Sequence, residues 1–550
     1  MADRYWVGGN GTWNASNTTN WSATSGGAGG ASVPTSADDV FITSASSGLG
    51  TLTCSAGVCR NLTFSGFAST MTFNVSGTLA INGNLVADAN GNTLWTGTGT
   101  VTFAATTTGN TITWNLFANR TVANPVVFNG VGGGWTFQDK FESTAASGAL
   151  TLTAGSLDTN GKGLIFSGTT SSNFVSAGSL TRSLTLGASV ITCAAATTAW
   201  NVTGTGVTVS GASSDITLSS ATANFAGGGG TYGTVTFSTN NAAGTKQISG
   251  SNTFNTVNFT NANGASRVLP VEITNNQTIT STLTILPSNP SIRVMLRAAT
   301  DTPVTLAIGT PNIQYVDFRD IIKSGTALTG TSLGDCGGNS NITFTAAKTV
   351  YQRGAGAVWS DNWALTQTGT ASQTNYPLPQ DTCTITNDSS TSISVDSNYN
   401  IGIILSTRTT NFTINNTSTP VIYGDVTLTS NVAFGGAGSL NFQGRDKTQT
   451  FISATTTVTN SVNITMKNGI FALGDAYSAS NSFAVSGFGS SAGTGTTFNT
   501  NNYSLTCTTF SSSGTTNRTI NFGTSTVTVS STGTAFNVNS TTGLTFSAAS

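Results

Sequence analysis

The stretch TVTF at residues 234–237 returns as TVNF at residues 256–259, and this returning phrase decides the fold of the chain. Successive side chains of a β-strand point to opposite faces, so Val235 and Phe237 share one face and the threonines share the other. Threonine is β-branched and suits a pleated, polar surface. Each phrase therefore predicts a short strand with an apolar inner face and a polar outer face.

The phrase recurs along the whole chain, and Gly, Asn and Ser, which form tight turns, lie between its copies. Further copies lie at residues 61–66, 100–103, 125–130, 341–344, 440–444 and 544–546. Such strands are too short and too one-sided to bury a face alone, whereas stacking them coil on coil buries a continuous core. We therefore predict an all-β chain that forms a parallel β-solenoid, with about 20 to 30 residues per coil. A string of tandem antiparallel β-sandwiches is the alternative, since short strands with frequent turn signals also fit it.

The composition supports an all-β fold and provides few side chains that could serve in catalysis. The 550 residues include 64 Gly and no His, and only 7% are charged. Because Gly costs about 1 kcal/mol in a helix interior, we expect almost no helix. Apolar residues make up 37% of the chain at regular spacing, which argues against disorder. With few acids and bases and no imidazole, the chain has little equipment for proton transfer.

Several partner classes are excluded on similar grounds. A net charge of -1 provides no electrostatic basis for binding nucleic acid. No stretch approaches 18 consecutive apolar residues, so we expect no membrane insertion. No apolar signal segment follows Met1, so a role outside a cell would need another route, such as lysis or carriage on a particle. The glycines at residues 227–230 are not a phosphate loop, because no Gly-Lys-Ser/Thr follows, and we predict no cofactor.

Six cysteines in a chain of this length do not make a disulfide framework. Cys54 and Cys59 are close enough to pair across a turn, and their redox state stays open. The others stand alone, at Cys193, Cys336, Cys383 and Cys507. We interpret the cysteines as small buried apolar residues. Without His or a Cys-x-x-Cys motif, no metal site is predicted.

The chain restarts once, near residue 350. Residues 5–13, 20–24 and 34–42 have counterparts at residues 350–359, 361–366 and 377–385. Both series contain, in order, an aromatic residue, a Gly-rich turn, Trp, Asn-Trp, a polar loop, Pro, Asp and a strand. We therefore predict two β-solenoid modules, one at residues 1–347 and one at residues 348–550.

Each opening is interpreted as a Trp-rich cap, because the unpaired first coil of a solenoid exposes backbone edges and core. The alternative is an aromatic platform whose Trp faces stack on sugar rings. Asp38, Asp39 and Asp381 recur with the openings, which indicates a structural turn role for them. The second module ends inside a strand phrase, so we expect that the protein continues beyond Ser550 or that another subunit covers this end.

The first of the paired openings carries Tyr-Trp-Val-Gly-Gly-x-Gly-x-Trp, Asn-Trp-Ser and Pro-Thr-x-x-Asp-Asp-Val-x-Ile, and the second follows the same order of residue types. These residues resemble the start of Gly/Thr/Asn-rich β-helix structural proteins of tailed bacteriophages, and large bacterial surface adhesins carry related patterns. Residues 312–321 and 334–344 look like a closing coil in such phage proteins. The resemblance implies a virion structural protein, a fibre, spike or other appendage, and such proteins are often trimers. It brings no catalytic residue to this chain.

Some β-helix phage proteins cleave polysaccharides with grouped carboxylates, and the best acidic patch here is Asp317, Asp320 and Asp335. Asp317 and Arg319 share a strand face, which indicates an ion pair between them. Asp320 falls on the opposite face, and Asp335 lies in a Gly-rich turn where Asp commonly forms local hydrogen bonds. We therefore predict no catalytic residue and no enzyme, with a polysaccharide-degrading tail spike as the least favoured alternative.

These observations together predict a non-enzymatic virion protein, a rigid appendage that contributes to host attachment. Its expected partners are other virion proteins, further copies of itself (including a homotrimer) and host-surface glycans. A Thr-, Asn- and Ser-rich exterior suits hydrogen bonding to glycans, with affinity gained when several copies engage at once. The alternative is a bacterial cell-surface or secreted adhesin, which a signal peptide or secretion domain would favour.

Overall fold

The structure, a computed structural model, describes residues 2–117, 120–239, 244–260, 267–300, 302–354, 357–488 and 495–548. It is all-β, with 51% strand and 1% helix, and it forms a parallel β-solenoid of about 21 turns. The predicted fold class is confirmed. The β-sandwich alternative is wrong, because strands from successive coils pair in parallel along the described chain.

The strands of the described residues are short and are numbered here in chain order. Those before residue 345 are β1 Asp3–Trp6, β2 Gly11–Trp13, β3 Trp21–Ser22, β4 Asp39–Thr43, β5 Thr51–Cys59, β6 Leu62–Ser65, β7 Met71–Ile81, β8 Leu85–Val86, β9 Thr93–Thr96, β10 Thr100–Phe103, β11 Asn110–Thr113, β12 Val126–Phe137, β13 Phe141–Ser143, β14 Leu150–Asp158, β15 Leu164–Phe166, β16 Phe174–Ser176, β17 Arg182–Thr185, β18 Val190–Cys193, β19 Thr198–Val202, β20 Val207–Leu218, β21 Asn224–Gly227, β22 Thr231–Phe237, β23 Lys246–Ser249, β24 Thr253–Phe259, β25 Val268–Ile273, β26 Gln277–Ile285, β27 Arg293–Ala298, β28 Val304–Ile313, β29 Val316–Arg319, β30 Ile321–Ser324 and β31 Gly334–Asp335.

The later strands are β32 Thr349–Gln352, β33 Ala357–Val358, β34 Trp363–Ala364, β35 Thr382–Ile385, β36 Ser392–Val395, β37 Asn400–Ile401, β38 Ile403–Ser406, β39 Phe412–Asn416, β40 Val421–Ile422, β41 Val426–Thr427, β42 Val432–Gly435, β43 Ser439–Phe442, β44 Thr448–Ile452, β45 Thr457–Val458, β46 Ser461–Ile464, β47 Gly469–Leu473, β48 Tyr477–Ala479, β49 Phe483–Ser486, β50 Thr496–Asn499, β51 Leu505–Cys507, β52 Phe510–Ser513, β53 Arg518–Gly523, β54 Val527–Val529, β55 Phe536–Val538 and β56 Leu544–Ala548. The described residues also contain one short 3-10 helix, Gln373–Asn375.

The chain forms two compact units. The first holds the described residues of Met1–Thr239, Lys246–Thr260 and Asn275–Leu283. The second holds those of Asn240–Thr245, Asn261–Thr274 and Thr284–Ser550. The sequence-derived division at residue 348 falls inside the second unit, and the two-module organisation stays a prediction.

The core of the first unit is built from the apolar residues of the repeated phrase, as predicted. Phe103 pairs in register with Phe128 on the next coil, and their rings stack with centroids 5.0 Å apart. Phe237 and Phe259 stack in the same way at 4.8 Å. Equivalent residues thus meet every coil, and the inner face of each strand is covered by the next.

The second unit repeats this arrangement. Strands β35, β38, β41, β44, β47, β50, β53 and β56 form one parallel ladder. Phe471, Phe498 and Ile520 follow one another on this ladder and are fully buried. On the last described coil, Phe536 and Phe546 are 43% and 47% exposed, while Ala549 and Ser550 lie outside the described residues.

Buried arginines close two turns of the solenoid, a role that the sequence analysis did not anticipate. Arg182 and Arg518 each end a segment Ser-x-Gly-x-x-x-Arg. The Nε of Arg182 donates to Ser176 Oγ at 2.7 Å, and that of Arg518 donates to Ser512 Oγ at 2.6 Å. The other guanidinium N–H groups donate to main-chain carbonyl oxygens of the same turn and of the next coil. Burial lowers the pKa of both arginines.

Candidate functional site

The two predicted openings fold in the same way, one in each unit. Strand β1 pairs antiparallel with β3 and parallel with β4. Strand β32 likewise pairs antiparallel with β34 and parallel with β35. Ala355 and Gly356, which belong to the second opening, lie outside the described residues. The repeated sequence therefore encodes one repeated structural element, in which the first strand has a neighbour on each side.

The tryptophans of the openings are buried. Trp13 and Trp21 are 0% exposed and pack edge to face with centroids 5.2 Å apart. Trp359 and Trp363 are also 0% exposed, and their rings pack at 4.7 Å. No face of these rings is open to a sugar, so the aromatic-platform alternative is wrong. The packing supports the Trp-rich cap.

One buried aspartate closes each opening. Asp38 accepts hydrogen bonds from the backbone N–H groups of Ala2 at 2.9 Å and Thr35 at 3.0 Å. Asp381 accepts hydrogen bonds from the backbone N–H groups of Lys348 at 2.9 Å and Leu378 at 2.8 Å. Burial opposes ionisation of Asp38, but the hydrogen bonds from Thr35 and Ala2 outweigh it and lower its pKa. The predicted structural turn role is confirmed for both residues.

Asp39 is held by a different partner. Its carboxylate accepts two hydrogen bonds from Arg60 on the following coil, one from Nε at 2.8 Å and one from Nη2. The hydrogen bond from Arg60 is the largest cause of the lowered pKa of Asp39. This aspartate therefore has a structural role, in an ion pair.

The carboxylate of Asp317 does not pair with Arg319, and that prediction is wrong. It is fully buried, with Oδ1 accepting from Arg293 Nε at 2.7 Å and Oδ2 accepting from Asn400 Nδ2 at 2.7 Å. The physical reason is coil stacking: residues two apart on a strand are about 6.6 Å apart, whereas neighbouring coils lie about 4.8 Å apart. The partner therefore comes from the preceding coil, 24 residues away.

Asp320 is the centre of a buried cluster of positive charges in the second unit. Its Oδ1 accepts from Lys467 Nζ at 2.9 Å, and its Oδ2 accepts from Arg445 Nε at 3.1 Å, with Arg319 Nε at 3.9 Å. Asp335 accepts hydrogen bonds within its own turn from the N–H of Gly337 at 2.8 Å, as predicted. The predicted acidic patch is thus divided among separate structural partners.

The cysteines are buried and free, including Cys54 and Cys59, which form no disulfide. Burial raises the pKa of Cys54 to about 12. Their interpretation as small buried residues is confirmed. Among the described residues, no three His, Cys, Asp or Glu side chains are grouped to hold a metal ion. The part of the chain that the structure describes contains no helix of the length and apolarity that a membrane span requires.

The first unit carries a column of outward-facing polar side chains that we call the hydroxyl ladder. Its members, paired coil on coil, are Thr111, Thr136, Asp158, Thr185, Ser210, Thr231 and Thr253. Each follows or precedes a buried apolar residue, as Thr136 lies between Trp135 and Phe137. The sequence analysis predicted a polar outer face but not this continuous column, because the intervals between its members are irregular.

An open groove of about 460 Å³ lies beside the last rungs of the hydroxyl ladder. It is lined by Val202, Thr203, Gly204, Gly228, Gly229, Ser249, Gly250 and Ser251. Gly228 and Gly229 have positive φ angles of 63° and 81°, a region that Gly enters without strain. Thr231 and Thr253 each follow a groove residue by two positions. The sequence analysis excluded a phosphate loop at these glycines but did not identify the groove.

Comparisons of the chain with protein-family models, with curated proteins and with solved structures gave no significant match.

Proposed function

We propose that this chain is a non-enzymatic structural protein of a bacteriophage particle, part of a fibre, spike or other appendage that contributes to attachment to the host surface. The observation that carries the proposal is the contrast between the interior and the exterior of the solenoid. The Trp side chains of the openings and the carboxylates of the acidic patch are used in packing and in ion pairs. Six of the seven rungs of the hydroxyl ladder carry hydroxyl groups instead.

Stacked coils suit a mechanical role. Each coil is joined to its neighbours by main-chain hydrogen bonds and by in-register apolar contacts, so stability accumulates along the stack. Two copies of the Trp-rich opening allow the chain to begin a new stack without exposing the edge of its first strand. Other virion proteins and further copies of this chain, including a homotrimer, are the assembly partners that this role requires.

The attachment role rests on the polar exterior. The hydroxyl ladder and the groove beside it present Ser and Thr hydroxyls and backbone groups, which hydrogen-bond to sugar hydroxyls. Single contacts of this kind are weak, and several copies on one particle would bind a cell surface together through avidity.

The test is whether the chain belongs to phage particles. Particles purified on a density gradient are digested and analysed by mass spectrometry, and an antibody against the purified chain is used for gold labelling. We expect peptides of the chain at a constant ratio to other virion proteins and labelling on the particle surface. Particles from which the chain is absent, with the antibody bound to the bacterial envelope instead, would overturn the proposal in favour of a bacterial adhesin.

The same preparation addresses the enzymatic alternative. Purified chain is incubated with host-surface polysaccharide, and new reducing ends are measured. We expect none above the value for heat-denatured chain. Reducing-end release that is lost in the variants Asp317→Asn or Asp335→Asn would favour a polysaccharide-degrading spike.

A further inference from the structure

We propose that a chloride ion binds between the guanidinium groups of Arg319 and Arg445, beside the buried carboxylate of Asp320. The proposal goes beyond the attachment function and does not depend on it, because it concerns the buried interior of the second unit and not the polar exterior.

The first argument is that these two arginines leave buried N–H groups without an acceptor. The described residues contain six arginines that are at most 5% exposed, namely Arg182, Arg293, Arg319, Arg408, Arg445 and Arg518. In all of them except Arg319 and Arg445, the three guanidinium nitrogens all donate to oxygen atoms of the protein. Arg319 Nε and Arg445 Nη2 are buried and have no hydrogen-bond partner among the described residues. An unpaired buried donor is costly, above all on a charged group, so these two groups indicate an acceptor from outside the chain.

The second argument is that the two guanidinium groups lie side by side. The distance to Asp320 Oδ2 is 3.9 Å from Arg319 Nε and 3.1 Å from Arg445 Nε. Both groups also face the ring of Phe488, with Cζ of Arg319 5.6 Å and Cζ of Arg445 3.9 Å from its centroid. The ring face attracts both cations, but it does not replace a hydrogen-bond acceptor. One ion between the two groups can therefore reach both.

The third argument is an excess of positive charge. Arg319, Arg445 and Lys467 surround one carboxylate, that of Asp320, whose side chain is 0% exposed. Burial is the main cause of the lowered pKa of Arg445, and the like charge of Arg319 adds to it. Like charges in a buried place are costly unless a counter-charge is present. A bound anion supplies that charge.

The other carboxylates of this region have partners of their own. Asp317 is paired with the guanidinium of Arg293. Burial lowers the pKa of Lys447, and the charges of Asp425 and Asp335 oppose that shift, so these two acids face Lys447. Within the described residues, the carboxylate of Asp320 is the only one that forms an ion pair with either arginine of the site.

The kind of ligand follows from charge and space. A water molecule could accept the two free N–H groups, but it would leave the excess positive charge uncompensated. The side chain of Arg445 is 0% exposed, and the ring of Phe488 lies against its guanidinium, so a polyatomic anion such as sulfate has little space. The side chain of Lys467 is 15% exposed, which gives a small ion access from the surface. A single-atom anion, chloride, fits these conditions.

The experiment replaces chloride with gluconate, a much larger anion, at constant ionic strength. Hydrogen exchange of the full chain is followed by mass spectrometry as the chloride concentration rises. A ligand that binds only the closed fold slows local opening by the factor 1 + [L]/Kd. At about ten times Kd, exchange in residues 316–323 and 441–449 should therefore be about tenfold slower. Exchange in residues 100–113 of the first unit should not change.

The site is then tested with Arg319→Met, which removes one of the two unpaired donors and one positive charge. Its affinity for chloride should be at least about tenfold lower than that of the wild type, because a charge-assisted hydrogen bond is lost. The matched control is Arg408→Met. Arg408 is also buried beside one aspartate and lies over the ring of Phe412 at 4.5 Å, but all its guanidinium nitrogens are bonded. This variant should keep the chloride dependence of the wild type.

A second measurement uses the unaltered chain and does not require that a variant folds. Crystals are soaked in bromide, the heavier analogue of chloride, and anomalous scattering is recorded. We expect a peak between Arg319 Nε and Arg445 Nη2.

Four results would overturn the inference. The first is equal exchange of the wild type in chloride and in gluconate, and the second is slower exchange with sulfate but not with chloride. The third is a chloride response that Arg319→Met keeps, or that Arg408→Met loses to the same extent, since the response would then reflect general stability. The fourth is the absence of a bromide peak at the two arginines.

Discussion

Replacing Arg182 with Met should destabilise the coils around it by about 3 kcal/mol. Arg182 as a whole is 2% exposed. Its guanidinium donates in six contacts, with distances from 2.7 to 3.4 Å, to one hydroxyl and to carbonyl oxygens of two coils. Each such bond contributes a net of about 0.5–1.5 kcal/mol, and the cost of burying the charge offsets part of the sum. Methionine fills the volume but leaves these carbonyls without donors.

The assay combines urea unfolding with hydrogen exchange followed by mass spectrometry. Because a solenoid coil contacts mainly its neighbours, the loss should be local, with faster exchange between residues 176 and 205. Arg4→Met is the control, since the guanidinium of Arg4 is exposed and hydrogen-bonded to Ser32 at the surface. Its free energy of unfolding should differ from that of the wild type by at most about 0.5 kcal/mol. A loss below about 1 kcal/mol for Arg182→Met, or exchange that rises evenly along the chain, would refute the reasoning.

Three further predictions follow from buried charge and buried sulfur. Asp320→Asn should lower the free energy of unfolding in urea by about 3–5 kcal/mol, because it leaves Arg445 buried without its counter-charge. The control, Glu142→Gln in the surface pair with Lys140, should lower it by under about 1 kcal/mol. Equal losses in the two variants would contradict this prediction. Iodoacetamide at mildly alkaline pH should label none of the cysteines in the native chain and all six after denaturation, since burial raises their pKa. For the same reason the free energy of unfolding should fall as pH rises past about 9, where the thiols of the unfolded chain ionise. Labelling of the native chain would contradict this prediction. The pKa of Asp39 lies below its usual 3.8, so the stability that its ionised carboxylate contributes is present at neutral pH and is lost as pH falls through that lowered value. In acid unfolding, Asp39→Asn should therefore lose less stability between neutral and acid pH than the wild type does. An unchanged dependence of stability on pH would refute the role of the ion pair between Asp39 and Arg60.

The sequence analysis was most successful where local pattern and packing coincide. Alternation in phrases such as residues 234–237 placed Val235 and Phe237 inside, and both are at most 1% exposed. The two openings were recognised by their order of residue types, and they have the same strand pairing. Burial of the opening tryptophans then removed the sugar-platform alternative, which composition alone had left open.

Prediction failed for side chains whose partners lie on other coils. The alternation rule paired Asp317 with Arg319, two residues away, whereas its partner is Arg293 on the preceding coil. The cluster around Asp320 draws Arg445 and Lys467 from more than a hundred residues further along the chain. No sequence interval identifies such partners, because coil lengths vary and each difference shifts the register of everything that follows.

Strand alternation, turn residues and the scarcity of charge were therefore enough to specify a stacked, parallel β-architecture with an apolar interior and a polar exterior. They act over a few residues, and every coil repeats them. The coil-to-coil register was decided only in the tertiary structure, and with it the pairing of Asp317, the turn-closing role of Arg182 and the alignment of Thr185, Ser210 and Thr231 into one column. Register depends on the summed lengths of irregular turns, which no local pattern in the chain encodes.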